Sequence, residues 1–379
     1  MMIQLTEEQD MIRKTVRKLA EEKLAPIAVR IDKAGEFSRD VVELFEEYDL
    51  LRLKLPKKYG GLETDHTTYY LVIEEIARVC ASSSMLVATQ GSCLTSLLVS
   101  VNKEQEERFF GRLGKGNVIM SWALTEPGAG SDVGSMRTRA VLNGDHYIIN
   151  GSKCFITAGG VADIYTTFVR TGSGQGTKGL SGFVVEKDTP GFNIGKIEDK
   201  LGMRGSQTTE LIFEDARVSK ENLLGREGGG WSILMESIKE TRLGIASQAL
   251  GIAQGALDYA TRYSKERVQF GRPISENQGI QFMLADMKIQ VEASRALIYQ
   301  TASMLDRGIR DILPYAAMAK CMASDTAMRV TTDAVQILGG YGYMKDHPVE
   351  RMMRDAKSTQ ITEGTNQIQR MIIARSMLK

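Results

Sequence analysis

The sequence predicts an α+β chain of three domains: an N-terminal all-α domain over residues 1–116, a small antiparallel β domain over 117–228, and a C-terminal four-helix bundle over 229–379. Three observations predict this. Apolar residues recur at helical spacing up to Leu113 and again from Trp231. The stretch between carries short β-type runs punctuated by Asn-Gly pairs. Strand and helix do not alternate along the chain, which argues against a doubly wound parallel sheet. At 379 residues the chain can bury a large core and divide into two or three domains.

In order, Thr6 with Gln9 makes a capping box, and Met11, Ile12, Val16, Leu19 and Ala20 follow on one helical face. Val41, Val42, Phe45 and Leu50 mark a second helix, and Lys57–Gly61 a turn. Tyr70–Cys80 and Met85–Val101 are apolar enough for buried helices, and Lys103–Leu113 is amphipathic. Asn143-Gly144 and Asn150-Gly151 are both two-residue hairpin signals. Tyr147–Ile149, Ile164–Val169, Gly182–Val185 and Leu211–Phe213 read as strands, and Thr171–Gly176 as a mobile hairpin tip. Ile233–Ser264, Ser275–Arg307 and Asp311–Leu338 are long striped segments with few breakers, which pack as a bundle with the C-terminal helix as its last member.

Bulk composition narrows the function. Basic residues number 48 against 47 acidic, a net charge of +1 without a charged tail, so electrostatic capture of nucleic acid or an anionic membrane is not favoured. No run of about 18 apolar residues exists to span a bilayer. Met1–Glu8 lacks the basic and apolar regions of a secretory signal, and a cytoplasmic location is expected. Cys80, Cys93, Cys154 and Cys321 are scattered, as are His66, His146 and His347, so neither a metal site nor a disulfide framework is expected.

Four stretches could carry chemistry. Ile361–Gln369 reads as a turn into a helix, with Gly364 breaking the pattern, Thr365 as N-cap, and Glu363 a lone carboxylate just before them. Walled by apolar groups, such a carboxylate would have a raised pKa and could take a proton from carbon; it would equally favour the positive end of a helix. Leu124–Asp132 (LTEPGAGSD) is a tight, glycine-permitted turn able to offer backbone N–H groups to a flat heterocycle. Gly128–Gly134 is not G-x-G-x-x-G, and the Gly172–Gly176 loop is not a P-loop. Lys153–Gly159 (KCFITAG) is a strand, and Arg267–Ile274 (RVQFGRPI) breaks two long helices and supplies a guanidinium suited to a pyrophosphate.

Together these strings resemble the acyl-CoA dehydrogenase family, with at least five motifs in family order over essentially the whole chain. The resemblance implies FAD as cofactor, contacted through Trp122, Ala123, Leu124, Thr125, Gly130 and Ser131 in the first segment and Phe155, Ile156 and Thr157 in the second, where the family usually carries Trp for Phe155. It implies that Arg267, Gln269, Phe270 and Gln278 reach the ADP half of FAD. Gln336, Ile337, Leu338, Gly339 and Gly340 would approach the FAD of a neighbouring subunit, which implies a homotetramer, a dimer of dimers. Thr365 and Gln367 fall on the cofactor side. Ser131, Lys239, Thr241, Arg242, Thr362, Gly364 and Gln90 fall on the substrate side, with Lys239 standing where some members carry Asp. Leu201–Ser206 resembles a β-domain turn of the family, in which Arg204 is structural.

The implied reaction is α,β-dehydrogenation of an acyl-CoA thioester. Glu363 removes the α-proton, the β-hydrogen leaves as hydride to the flavin, and electrons pass to an electron-transferring flavoprotein. Thr362 stands where straight-chain members commonly have Tyr, which leaves room for a branched or alicyclic acyl group such as a cyclohexane- or cyclohexene-carboxyl chain, unless another side chain fills the gap. Gln90, Gly91 and Cys93 are expected to face the same pocket. No arginine occurs between Arg78 and Arg108 to meet a distal carboxylate, which disfavours dicarboxylic substrates. A butyryl-type dehydrogenase, an enoyl-CoA reductase, an oxidase and a catalytically silent assembly relative are the competing readings.

Overall fold

The computed structural model describes residues 5–172, 174 and 176–378. The first four residues of the expected signal-free start, and Ser173 and Gln175 of the expected hairpin tip, lie outside the described residues.

Helices α1 (Glu7–Leu19), α2 (Ala25–Ala34), α3 (Arg39–Glu47), α4 (His66–Ala77), α5 (Ala81–Leu98) and α6 (Lys103–Leu113) come first. The capping box of Thr6 and Gln9 opens α1 as expected, although Met11 points to solvent. Helices α4 and α5 are buried nearly all round, which suits their lack of a polar stripe.

Eight strands follow: β1 (Met120–Ala123), β2 (Arg139–Asn143), β3 (His146–Thr157), β4 (Ile164–Arg170), β5 (Leu180–Glu186), β6 (Phe192–Ile197), β7 (Thr208–Ser219) and β8 (Leu223–Leu224). They form one sheet in the order β6-β7-β3-β2-β4-β5-β8, with β1 on β4. Its pairs are antiparallel except β1 on β4 and the single Arg139–Arg170 pair of β2 with β4. Asn143-Gly144 makes the expected β2–β3 hairpin, Gly144 adopting φ +66°. Asn150-Gly151 does not make a hairpin. It lies inside β3, where the pairing with β7 shifts register between Ile149 and Gly151. Gly151 has φ +138°, and a Cβ there would sit 2.7 Å from the Thr138 Cα, so glycine permits a bulge rather than a reversal.

The chain then returns to helix with α7 (Gly230–Glu266), a two-stranded corner of β9 (Val268–Gln269) and β10 (Arg272–Pro273), α8 (Gln278–Asp306), α9 (Leu313–Leu338), α10 (Val349–Thr359) and α11 (Asn366–Met377). Helices α7, α8 and α9 pack on one another, α10 covers α7 and α9, and α11 packs on α9. Two short helices thus share the place the sequence gives to one. Helix α7 also reaches back to α4 and α5, joining the N-terminal helices to the bundle.

Candidate active site

Stretches distant in sequence meet around one cavity of about 1800 Å³: one face of α5, the segment after β1, the end of β3, the first half of α7, and the turn between α10 and α11. That turn is built by competing demands. Glu363 takes a left-handed φ of +54° and Gly364 one of +88°. A left-handed backbone costs a residue with a side chain about 1–2 kcal/mol, so something must hold it. The buried Gln369 donates Nε2 to the carbonyls of Glu363 (3.1 Å) and Gly364 (2.8 Å). Thr365 caps α11 by accepting the Ile368 N–H, as its sequence position suggests.

So held, the Glu363 side chain lines the cavity, and its Oε2 accepts a hydrogen bond from Thr241 Oγ1 at 2.8 Å. Burial raises its carboxyl above the ordinary glutamate range; the Thr241 bond and the charges of Arg242 and Lys320 pull the other way. Arg242 lines the same cavity with only 4% of its surface exposed, and its Nε and one terminal nitrogen have no partner among the described residues. Its sequence offers Glu236 and Glu240 as intrahelical partners, but Glu236 is taken by Lys239 at 2.8 Å and Glu240 by Lys54 at 2.5 Å.

The opposite wall comes from the sheet. Trp122, Leu124, Thr125, Gly130, Ser131, Phe155, Ile156 and Thr157 all line the cavity. Phe155 adopts φ +58° where the pairing of β3 with β7 is irregular between Lys153 and Ile156, and its ring is 65% exposed. A large aromatic held in a strained backbone and turned outward is placed as a contact surface. Glu126 is a strut rather than a ligand. It receives the Lys153 ammonium at 2.8 Å and the Arg137 and Thr138 N–H groups at 2.6 and 3.0 Å, while Lys153 also donates to the Leu124 carbonyl at 3.0 Å. Burial brings Lys153 down to about 8, with Glu126 opposing.

Several expected residues fall elsewhere. Helix α5 turns Met85, Ala88, Thr89 and Ser92 to the cavity, an i, i+3, i+4, i+7 face that the sequence reading missed although the spacing was there to find. Gln90 is about 100° away on the helix and fully engaged, donating to the Val118 carbonyl and accepting the Met120 N–H, each at 2.9 Å. Gly91 faces Tyr69, whose hydroxyl a Cβ would meet at 2.0 Å, and Cys93 is buried in a core cluster. Lys239 is outside the lining, since α7 presents Leu234, Met235, Ile238, Thr241, Arg242 and Ile245 there. Ala123 is buried within β1, and Gln367 is exposed on α11. Thr362, Gly364 and Thr365 do line the cavity.

Arg267, Gln269, Phe270 and Gln278, and likewise Gln336, Ile337, Leu338, Gly339 and Gly340, lie outside the lining of that cavity. Arg267 lies over the Tyr341 ring at 5.3 Å, which joins the β9–β10 corner to the turn after α9. Ile337 and Leu338 are core residues, whereas Phe270 is fully exposed. The two sets of expected cofactor residues are thus not brought to one cavity within a single chain.

Arg204 is structural as expected, bonding the Asp32 and Lys200 carbonyls. No helix among the described residues is long and apolar enough to cross a membrane.

Comparison with known proteins agrees with this geometry. Residues 6–117, 121–216 and 228–378 match, in turn, the N-terminal, middle and C-terminal domains of acyl-CoA dehydrogenase. The cyclohex-1-ene-1-carbonyl-CoA dehydrogenase of Geobacter metallireducens is 49% identical over 375 residues, 99% of each chain. Among solved structures, butyryl-CoA dehydrogenase from Megasphaera elsdenii is 43% identical with a TM-score of 0.96, and a chain solved in work on the electron transferring flavoprotein of Acidaminococcus fermentans is 47% identical with a TM-score of 0.97; each covers 100% of both chains. The chain belongs to the acyl-CoA dehydrogenase family of flavoprotein oxidoreductases.

Proposed function

We propose that the protein dehydrogenates an acyl-CoA thioester between Cα and Cβ to give the 2-enoyl-CoA, with Glu363 as the base. The observation that carries this is one carboxylate, its pKa raised by burial, sharing a cavity with the Trp122–Ser131 segment. Thr241 occupies Oε2, which orients the carboxylate so that its other oxygen takes the α-proton. A base placed this way contributes roughly 10²–10⁴-fold. The thioester oxygen needs donors as charge develops, and each one lost costs about 2.7–4 kcal/mol. The Glu363 backbone N–H is the donor the family resemblance points to. The unpaired N–H groups of Arg242 suit an anionic or carbonyl group of the CoA portion.

FAD fits the residues present. The outward Phe155 ring offers a flat face, and Gly128 and Gly130 have no atom within 4 Å of where a Cβ would stand, leaving backbone open to a ligand. When bound, FAD would supply the acceptor for the β-hydrogen and its electron pair. Trp122–Ser131 and Phe155–Thr157 would hold its ring, and Arg267, Phe270 and the Gln336–Gly340 stretch would serve the FAD of a neighbouring subunit. The exposed Phe270, Tyr341 and Tyr343 support such an assembly, a homotetramer, because large exposed apolar groups clustered at one corner favour association. An electron-transferring flavoprotein is the proposed acceptor, supported by the fold shared with the Acidaminococcus chain.

For the acyl group we favour a branched or alicyclic chain. Thr362, Ala88, Thr89 and Ser92 are small residues on the cavity wall, and the Geobacter relative is named for a cyclohexene-carbonyl thioester. A butyryl-type substrate is the second reading, favoured by the Megasphaera structure. An absorbance scan for flavin bands, followed by anaerobic mixing with cyclohexanecarbonyl-CoA, isobutyryl-CoA and butyryl-CoA, tests both. Fastest bleaching by the bulky thioesters is expected. Fastest bleaching by butyryl-CoA reassigns the substrate, and no bleaching by any thioester removes the reaction.

A further inference from the structure

Among the described residues two lysines are fully buried. Lys153 has a carboxylate partner in Glu126 at 2.8 Å. Lys320, on the inner face of α9, has none: its Nζ donates to the Gly364 carbonyl at 2.9 Å and to Asn366 Oδ1 at 3.0 Å, and no carboxylate oxygen among the described residues lies within salt-bridge distance. An ammonium in a dry interior without a counter-charge is costly, and structure alone rarely keeps one. The negative group whose field Lys320 feels most is the Glu363 carboxylate. Asn366 is itself fixed by Ser324 at 2.9 Å and by Asp325 at 2.7 Å, so the acceptor that orients the ammonium cannot drift. With Gln369, Lys320 anchors the Gly364 carbonyl from two sides, at the turn where Glu363 and Gly364 are both left-handed.

We propose that Lys320 is a positioning residue for Glu363: from behind the turn it locks the left-handed Glu363–Gly364 backbone and supplies the positive charge that keeps the carboxylate ionised until it takes a proton. This rests on the reading of Glu363 as the base. The charge acts with Arg242 from α7, while the Cys93 thiol from α5 also feels the carboxylate; Thr241 contributes a hydrogen bond but no charge. When Glu363 accepts the α-proton the negative field at the ammonium is lost, so Lys320 ties the strength of the base to the geometry of the turn. The burial that raises the Glu363 carboxyl is thereby partly offset.

The test is the pH dependence of kcat in flavin-loaded Lys320→Met and Lys320→Gln, beside Glu363→Gln. Methionine keeps the length and removes both charge and donor; glutamine restores a donor without the charge. Both are expected to bind flavin and to move the ascending limb, which reports ionisation of the base, upward by about one pH unit or more. Lys320→Gln should recover part of the plateau rate that Lys320→Met loses, while KM changes less than kcat. Titration of the Glu363 carboxyl by carbon-13 NMR, assigned by the signal missing in Glu363→Gln, should show the same upward shift without turnover. If Glu363→Gln is inactive and neither lysine variant moves the limb or the carboxyl titration, the role of Lys320 is overturned and the base stands. If Glu363→Gln turns over normally, the base assignment falls first. Failure of both lysine variants to fold would make Lys320 a purely structural residue and also overturn the proposal.

Discussion

Glu363 and Lys153 show how burial acts on single residues of opposite charge. Each is pushed toward neutrality by loss of water, and each is pulled back by named partners: Thr241, Arg242 and Lys320 for the carboxylate, Glu126 for the ammonium. The two strings that contain Glu126 and Lys153 were legible as motifs, but their mutual pairing was not, because 27 residues separate partners that only the fold brings together. Removing one partner of a buried pair typically costs about 3–5 kcal/mol. Glu126→Ala should therefore lower thermal stability strongly at pH 6, where Lys153 of the parent is charged and paired. A lysine with a depressed folded pKa lets the unfolded chain bind more protons at high pH, so stability rises with pH there, and the deficit should shrink by pH 9. Unfolding scans at the two pH values check this; an unchanged melting temperature at pH 6 would refute the strut. The face of α5 that lines the cavity was also within reach of the sequence, since Met85, Ala88, Thr89 and Ser92 obey helical spacing. The polar Gln90 and the thiol of Cys93 on the same helix are instead tied into the interior.

At the scale of elements, the longer helices followed from periodicity while the short α2 and α10 did not, and glycine carried meanings that sequence does not separate. Gly144 turns a hairpin, Gly151 a bulge, and Gly251 and Gly255 do neither. The last two sit on α7 where it crosses the end of α4. A Cβ on Gly251 would lie 2.2 Å from the Glu74 carbonyl oxygen, and one on Gly255 2.0 Å from that of Arg78. Backbone cannot yield as a side chain can, so the two helices would have to separate. Gly255→Ala should destabilise the protein by about 1–3 kcal/mol despite the gain in helix propensity. Chemical denaturation reads this directly, and a stabilised variant would mean that α4 and α7 do not approach as described. The same crossing carries the first half of α7, and so Thr241 and Arg242, against the N-terminal helices, so a looser crossing should also weaken substrate binding.

Across the whole molecule, the cavity exists only because three domains converge on it, and one buried carboxylate fastens two of them. Asp355 on α10 accepts the Met203 N–H at 2.5 Å, in a left-handed turn of the sheet domain whose residues Lys200–Met203 line the cavity. Burial raises Asp355 to about 6, against an ordinary value of 3.8. Between those two values the folded chain holds a proton that the unfolded chain has lost, so this residue's contribution falls as pH rises, by about 3 kcal/mol in all. Asp355→Asn keeps an acceptor for Met203 and should flatten that part of the stability curve, leaving the variant more stable than the parent above pH 6; an unaltered pH dependence would contradict it. Sequence reading foresaw the order of the domains and assigned Gln336–Gly340 to a neighbouring subunit, but foresaw neither this fastening nor that Arg267, Gln269, Phe270 and Gln278 lie outside the Glu363 cavity. Both depend on how surfaces meet, which periodicity does not encode. The claim on which all of this converges is that Glu363 is the base, and the most direct measurement is acyl-CoA turnover by Glu363→Gln at matched flavin content and melting temperature. Loss of at least roughly 10²-fold in kcat with the fold intact is the predicted result; a rate near that of the parent enzyme would contradict it.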